Sequence, residues 1–153
     1  AIEANLVAIE KAGIQLLCQT GENYNGAFGS FSWGTRTAFV KRMNLAYKVA
    51  DVVISRAGAM SVSELSALGK ATIFVPSPFV SEDHQTKNAM SLVNKNAALL
   101  CRDAEATQKL GDMLISLIQN DEQIAALQSA IIKLGLPQAA ESIVREIVQD
   151  LGR

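Results

Sequence analysis

The sequence predicts an α/β domain built on a parallel sheet with helices on both faces. Two observations lead to that class. The apolar runs Ile14–Cys18, Asp51–Ser55, Ala71–Val75 and Ala97–Cys101 are short and continuous, as strands buried on both faces are. Between them lie segments with apolar residues at helical spacing, bounded by glycine or proline, so that strand and helix alternate as in doubly wound folds.

Taken in order, Ile2, Leu6 and Ile9 set a helical spacing over Ala1–Ala12, and Gly13 stops it. Ile14–Cys18 follows as a buried strand. Gly21–Thr35 is rich in Gly, Ser and Asn and reads as a loop, its Tyr24, Phe28, Phe31 and Trp33 packing it onto the sheet or stacking on a ligand. Thr37–Val40 reads as strand, Met43–Val49 as a short helix and Asp51–Ser55 as strand. Ser61–Leu68 is helical and is closed by Gly69. Ala71–Val75 is a strand that Pro76-Ser77-Pro78 ends, because proline supplies no N–H to a ladder. Gln85–Asn94 is a helix and Ala97–Cys101 the last strand. Three helices, Ala104–Gln119, Asp121–Leu134 and Gln138–Leu151, complete the chain.

The 153 residues are 49% hydrophobic and 19% charged with a net charge of −1, which predicts one folded domain over residues 1–153 and excludes a disordered chain. Without a basic cluster, nucleic acid is not the expected partner. No apolar run approaches the roughly 18 residues of a membrane span. Cys18 and Cys101 lie in apolar runs without metal or redox spacing and read as buried groups of a protein from a reducing, cytoplasmic compartment. With one histidine, no metal ligand set is expected, and no cofactor. A doubly wound domain normally opens on a strand and a Gly-rich turn; this chain opens at Ala1 inside a helix, so the expectation is a domain truncated at its N-terminus.

Ligands of parallel sheets bind outside the carboxyl ends of the strands, which directs attention to three turns. In Ser55-Arg56-Ala57-Gly58-Ala59-Met60-Ser61 a strand ends and a helix starts, so free backbone N–H groups and the positive end of a helix dipole suit a phosphate or diphosphate, and the small Gly58 and Ala59 permit close approach. Glu64 has two readings. Ser61-x-x-Glu64 fits a capping box, with Ser61 as N-cap. Alternatively the carboxylate, an acceptor with two oxygens, takes the vicinal hydroxyls of a ribose. The second turn, Pro76 to Asn88, presents His84, Gln85 and Asn88 beside a helix start, where Asp83 or Ser81 would be N-cap and His84 could equally be a solvated surface group. The third, Val40-Lys41-Arg42-Met43, offers backbone groups to a nucleobase edge and Met43 to its face, or is an ordinary strand-to-helix turn. GxSxG is absent, so no Ser-His-Asp chemistry is expected.

The run ADVVISRAGAMSVSELSALGKATIFVPSPFVSEDHQTKNA, residues 50–89, closely resembles the C-terminal half of the MurG family, with weaker similarity through Gln19-Thr20-Gly21 and Phe39-Val40-x-x-Met43. The resemblance implies the donor-binding, Rossmann-like domain of a two-domain GT-B glycosyltransferase. Such an enzyme transfers N-acetylglucosamine from UDP-GlcNAc to the undecaprenyl-diphosphate-linked muramyl-pentapeptide at the cytoplasmic face of the inner membrane. By that resemblance Val40 reads the uracil edge with Met43 nearby, and Arg56, Gly58 and Ala59 form the turn before the nucleotide-facing helix. Glu64 holds the ribose hydroxyls, His84 and Gln85 contact the GlcNAc hydroxyls, and Asn88 supports their helix. The family's Gly-Gly-Ser loop and acceptor domain have no counterpart in this chain, so no catalytic residue is assigned and the chain alone is expected to be inactive. The alternative expectation is a free-standing nucleotide-sugar-binding subunit, like that of the eukaryotic dolichol-linked GlcNAc transferase, active only with a partner.

Overall fold

The computed structural model describes residues 1–26 and 31–152. Helix α1 (Ile2–Lys11) leads to strand β1 (Leu16–Gln19), and β2 (Gly34–Thr37) precedes α2 (Met43–Val49) and β3 (Val52–Ser55). Next come α3 (Ala59–Ala67), β4 (Ala71–Phe74), a 3-10 turn at Ser81–Asp83, α4 (His84–Val93) and the two-residue β5 (Leu99–Leu100). Helices α5 (Asp103–Ile118), α6 (Asp121–Ile131, extended by a 3-10 turn to Leu134) and α7 (Ala139–Leu151) finish the chain. All strand pairs are parallel, as expected, but their ladders fall into two groups, β1-β2 and β3-β4-β5, rather than one continuous sheet.

Strand alternation explains the layers. Ala71, Ile73 and Val75 face one core with Val52, Ile54 and Leu99, under Ala106, Leu110, Leu114 and Leu117 of α5 and Ile9 of α1. Phe74 with Val53 and Leu100 faces the other, against Leu65 of α3 and Ala89 and Leu92 of α4. Both faces are therefore covered, and β4 is buried at every residue. Ile14 and Trp33 pack into the α5 core, which ties the two-stranded group to the rest. Gly111 allows α1 to lie close on α5: a methyl there would collide with the Asn5 side chain, whose amide donates to the carbonyl of Thr107 at 3.2 Å.

Several boundaries differ from the sequence expectation. The strand placed at Thr37–Val40 lies at Gly34–Thr37, because β2 is an edge strand paired in register with Leu16–Gln19 and needs no apolar run. The ladder continues through Thr20 N–H to Thr37 O and Gly21 N–H to Ala38 O, both at 3.0 Å, so Val40 still lies just beyond a strand end. Helix α3 starts two residues earlier than Ser61, because Gly58 is already extended at φ −64, ψ 149 and serves as N-cap. Cys101 is buried as expected, whereas Cys18 is only half-buried because β1 pairs on one edge alone. Trp33 does pack the loop onto the core, and it stacks on Phe31 with ring centroids 4.6 Å apart. Phe28 lies outside the described residues.

Helix α7 carries Ile143, Val144, Ile147, Val148 and Leu151 on one stripe, all more than half exposed. Among the described residues no helix is long and apolar enough to cross a membrane.

Candidate functional site

The carboxyl ends of β2, β3 and β4 open into the three turns that carry the residues singled out from the sequence. The turn after β3 is the best built. The Arg56 side chain is half exposed yet tied down: Nη1 donates to the carbonyls of Val75 at 3.1 Å and Pro76 at 3.2 Å and pairs with Asp103 at 2.5 Å. Ala57 is completely buried. Its N–H donates to Gln85 Oε1 at 3.3 Å, and its carbonyl accepts from Asn88 Nδ2 at 3.0 Å. Gln85 Oε1 also accepts from Ser77 N–H at 2.9 Å. Arg56, Ala57, Gln85 and Asn88 thus form one hydrogen-bonded unit with Ser77, from the proline-bounded turn, and with Asp103, which the sequence did not single out.

From this unit rises α3. No side chain caps its N-terminus, and the first intrahelical bond is Val62 N–H to Gly58 O at 2.9 Å. Gly58 has an ordinary negative φ, and a Cβ added there would meet nothing within 4 Å. Neither backbone conformation nor internal packing requires glycine at this position. The uncapped donors at the head of α3 therefore lie beside a residue without a side chain and with open space where one would stand, Ala59 being the first helical residue.

The capping box is not formed. Ser61 is the third residue of α3 and Gly58 holds the cap, so Ser61 and Glu64 do not stand at the N-cap and N3 positions that the box requires. Glu64 is exposed in the second helical turn and accepts a hydrogen bond from Tyr47 Oη at 3.4 Å. Tyr47 is half-buried on α2 against the α3–α4 core. Burial, then the charge of Glu64 and the hydrogen bond to it, pushes the phenol above its ordinary value, so it stays protonated and donates. No local sequence pattern signalled Tyr47, because the pairing crosses from one helix to another.

Val40 N–H donates to Gln19 Oε1 at 2.8 Å, which joins the turn after β2 to the end of β1. Met43 begins α2 and is half-buried. His84 begins α4 with an exposed ring 3.5 Å from Glu82, and Asp83 occupies the N-cap position without a side-chain capping bond. Glu82 and Asp83 both have positive φ, 53 and 54, an unusual backbone for non-glycine residues that turns the chain sharply into α4. Val40, Met43 and His84 are not hydrogen-bonded to the Arg56–Gln85 unit; what they share with it is position at the carboxyl side of the strands. Among the described residues no three His, Cys, Asp or Glu side chains converge as metal ligands.

Residues 1–143 match the glycosyltransferase family 28 C-terminal domain. The chain belongs to that family. It is 43% identical over 151 residues to a Cytophaga hutchinsonii protein named UDP-N-acetylglucosamine--N-acetylmuramyl-(pentapeptide) pyrophosphoryl-undecaprenol N-acetylglucosamine transferase, covering 97% of this chain and 41% of the relative. A Porphyromonas gingivalis protein of the same name is 46% identical over 146 residues, covering 91% and 38% respectively. The chain thus spans about two fifths of the length of these curated relatives. Its fold superposes on Acinetobacter baumannii MurG with a TM-score of 0.74 at 28% identity, over 89% of this chain and 41% of that one. It superposes on the glycosyltransferase VinC, solved with dTDP, with a TM-score of 0.71 at 16% identity, over 95% and 37%, a likeness of fold alone. Both neighbours are GT-B glycosyltransferases, and the parallel α/β architecture expected from the sequence is the one they share.

Proposed function

We propose that this chain is the UDP-GlcNAc-binding domain of a transferase that adds GlcNAc to an undecaprenyl-diphosphate-linked muramyl-pentapeptide, working without a cofactor at the cytoplasmic face of the membrane. The observation that carries this reading is the head of α3. Uncapped N–H donors lie under open space at a glycine whose own backbone does not need to be glycine, and an exposed carboxylate stands in the next turn. In this reading Gly58 and Ala59 border the diphosphate and Glu64, steadied by Tyr47, accepts the ribose hydroxyls. Val40 and Met43 meet the uracil, while His84 and the Nε2 of Gln85 face the sugar.

Departure of UDP builds charge on the diphosphate. The α3 dipole contributes about 0.3 to 2 kcal/mol to its stabilisation, so further donors must come from outside this chain. The general base for the acceptor hydroxyl lies there too, and the chain alone is inactive. Two features support a larger protein. The outer edges of β1 and β3 have no ladder partner among the described residues, and a doubly wound sheet orders one strand between them. The uncovered apolar stripe of α7 is suited to a neighbouring domain. The length of the relatives favours a domain of one long enzyme over a separate subunit.

Calorimetry with UDP, UDP-GlcNAc and UDP-GalNAc tests the reading. Glu64→Ala should weaken UDP binding about tenfold or more, since hydrogen bonds to a charged group contribute roughly 1.5 to 3 kcal/mol each. The melting temperature should not change, because Glu64 caps nothing. Unaltered affinity, or transfer of GlcNAc by the chain alone, overturns it.

A further inference from the structure

We propose that Gln85 is a positioning residue whose side-chain carbonyl holds the turns after β3 and β4 in register, and so sets the donors at the head of α3. The inference rests on the UDP-binding reading and adds to it a role that Gln85 performs before any ligand arrives. The last ladder bond between these strands is Val75 N–H to Ser55 O at 2.9 Å; beyond it the two chains turn apart. There Gln85 Oε1 accepts from one N–H on each side, Ala57 and Ser77, and continues the cross-link from a third element. Because both partners are donors, only the carbonyl oxygen can stand between them, which fixes the orientation of the amide and leaves its NH2 as the one face open to a ligand. Asn88, one turn on along α4, donates to the carbonyl of the same Ala57, so the two peptide units that flank the Ala57 Cα are both held from α4. Arg56 supplies the matching donors to the carbonyls of Val75 and Pro76. Ala57 immediately precedes the Gly58 cap, so a shift of its peptide moves the first donors of α3.

The chemistry suggests a pair of variants. Gln85→Glu keeps an acceptor oxygen and exchanges the NH2 for a second one; Gln85→Met keeps the length and loses both functions. For Gln85→Met, UDP affinity should fall about tenfold, with faster amide exchange at Ala57 and Ser77. Gln85→Glu should restore wild-type exchange at both amides and, at high salt that screens its added charge, wild-type affinity. Wild-type affinity and exchange in Gln85→Met overturn the proposal. So does a Gln85→Glu variant that binds as weakly as Gln85→Met despite protected amides, which would assign the effect to the NH2 contacting ligand directly. Failure of the unsubstituted chain to bind UDP, with Ala57 and Ser77 protected, overturns the UDP-binding reading and this role with it, while leaving the cross-link as a fact of the fold.

Discussion

The two halves of the sheet differ in how they are held. In β3-β4-β5 the central strand is buried throughout, both faces have a core, and the turns at its carboxyl end are cross-linked by Arg56, Gln85 and Asn88. In β1-β2 neither strand has a fully buried residue, Leu17 is 47% exposed, and Trp33 and Ile14 make the anchoring apolar contacts. The difference shows where rigidity was placed. Groups that would meet the charged part of a nucleotide stand on the doubly covered half, and the turn at Val40, which would meet the base, hangs on the more open half through one bond from its N–H to the Gln19 side chain.

That contrast can be broken in order of size. Phe74→Ala, which empties a fully buried site, should cost about 3 to 5 kcal/mol in denaturant unfolding, whereas Leu17→Ala in the exposed face of β1 should stay under about 1 kcal/mol. Comparable losses would mean that the two halves are equally packed. Trp33→Ala comes next, at roughly 2 kcal/mol or less because the ring is only half-buried, and amide exchange should rise in β1 and β2 before it rises in β4.

Gly58→Ala separates fold from binding within the better-held half. With negative φ and open space around it, the added methyl should leave stability unchanged or raise it by up to about 1 kcal/mol. UDP affinity should nonetheless fall severalfold, as isothermal titration will show. An unchanged affinity would remove the diphosphate from the head of α3.

The smallest effect concerns the cysteines, one in each half. Burial raises both thiols above their ordinary value of 9.0; the charge of Arg36 partly offsets this at Cys18, and that of Lys109 at Cys101. The unfolded chain then loses its thiol protons at lower pH than the folded one. The contribution is fully present below the ordinary value and declines as pH rises through the folded one, by at most about 1.4 kcal/mol per pH unit per thiol. Replacing both by alanine should flatten the alkaline limb of a stability–pH curve, leaving the part due to Tyr47, whose shift has the same sign. At neutral pH Cys18, half-buried, should alkylate faster than Cys101.

Legibility followed the same division. Asp51–Ser55 and Ala71–Val75 were readable as strands because burial on both faces demands unbroken apolar runs, and β3 and β4 lie within them. Gly34–Thr37 was not, since an edge strand is selected by its neighbour's hydrogen bonds rather than by apolar side chains. At the site, the turn from Arg56 to Ala59 and the carboxylate at Glu64 followed from position after a strand. The Ser61 capping box did not survive, because the spacing S-x-x-E does not say where the helix begins, and it begins at Ala59, with the extended Gly58 as its cap.

By itself, then, the sequence determined the strand-helix alternation, the three informative turns and the family resemblance, all of them properties of local spacing and residue type. Only the tertiary structure decided that Arg56 is spent on Asp103 and two carbonyls, that Gln85 bridges residues 57 and 77, and that Tyr47 donates to Glu64. Each of those pairings joins two different elements of the fold. A hydrogen bond of that kind depends on how the folded layers bring two side chains within about 3 Å, which no periodicity along the chain encodes.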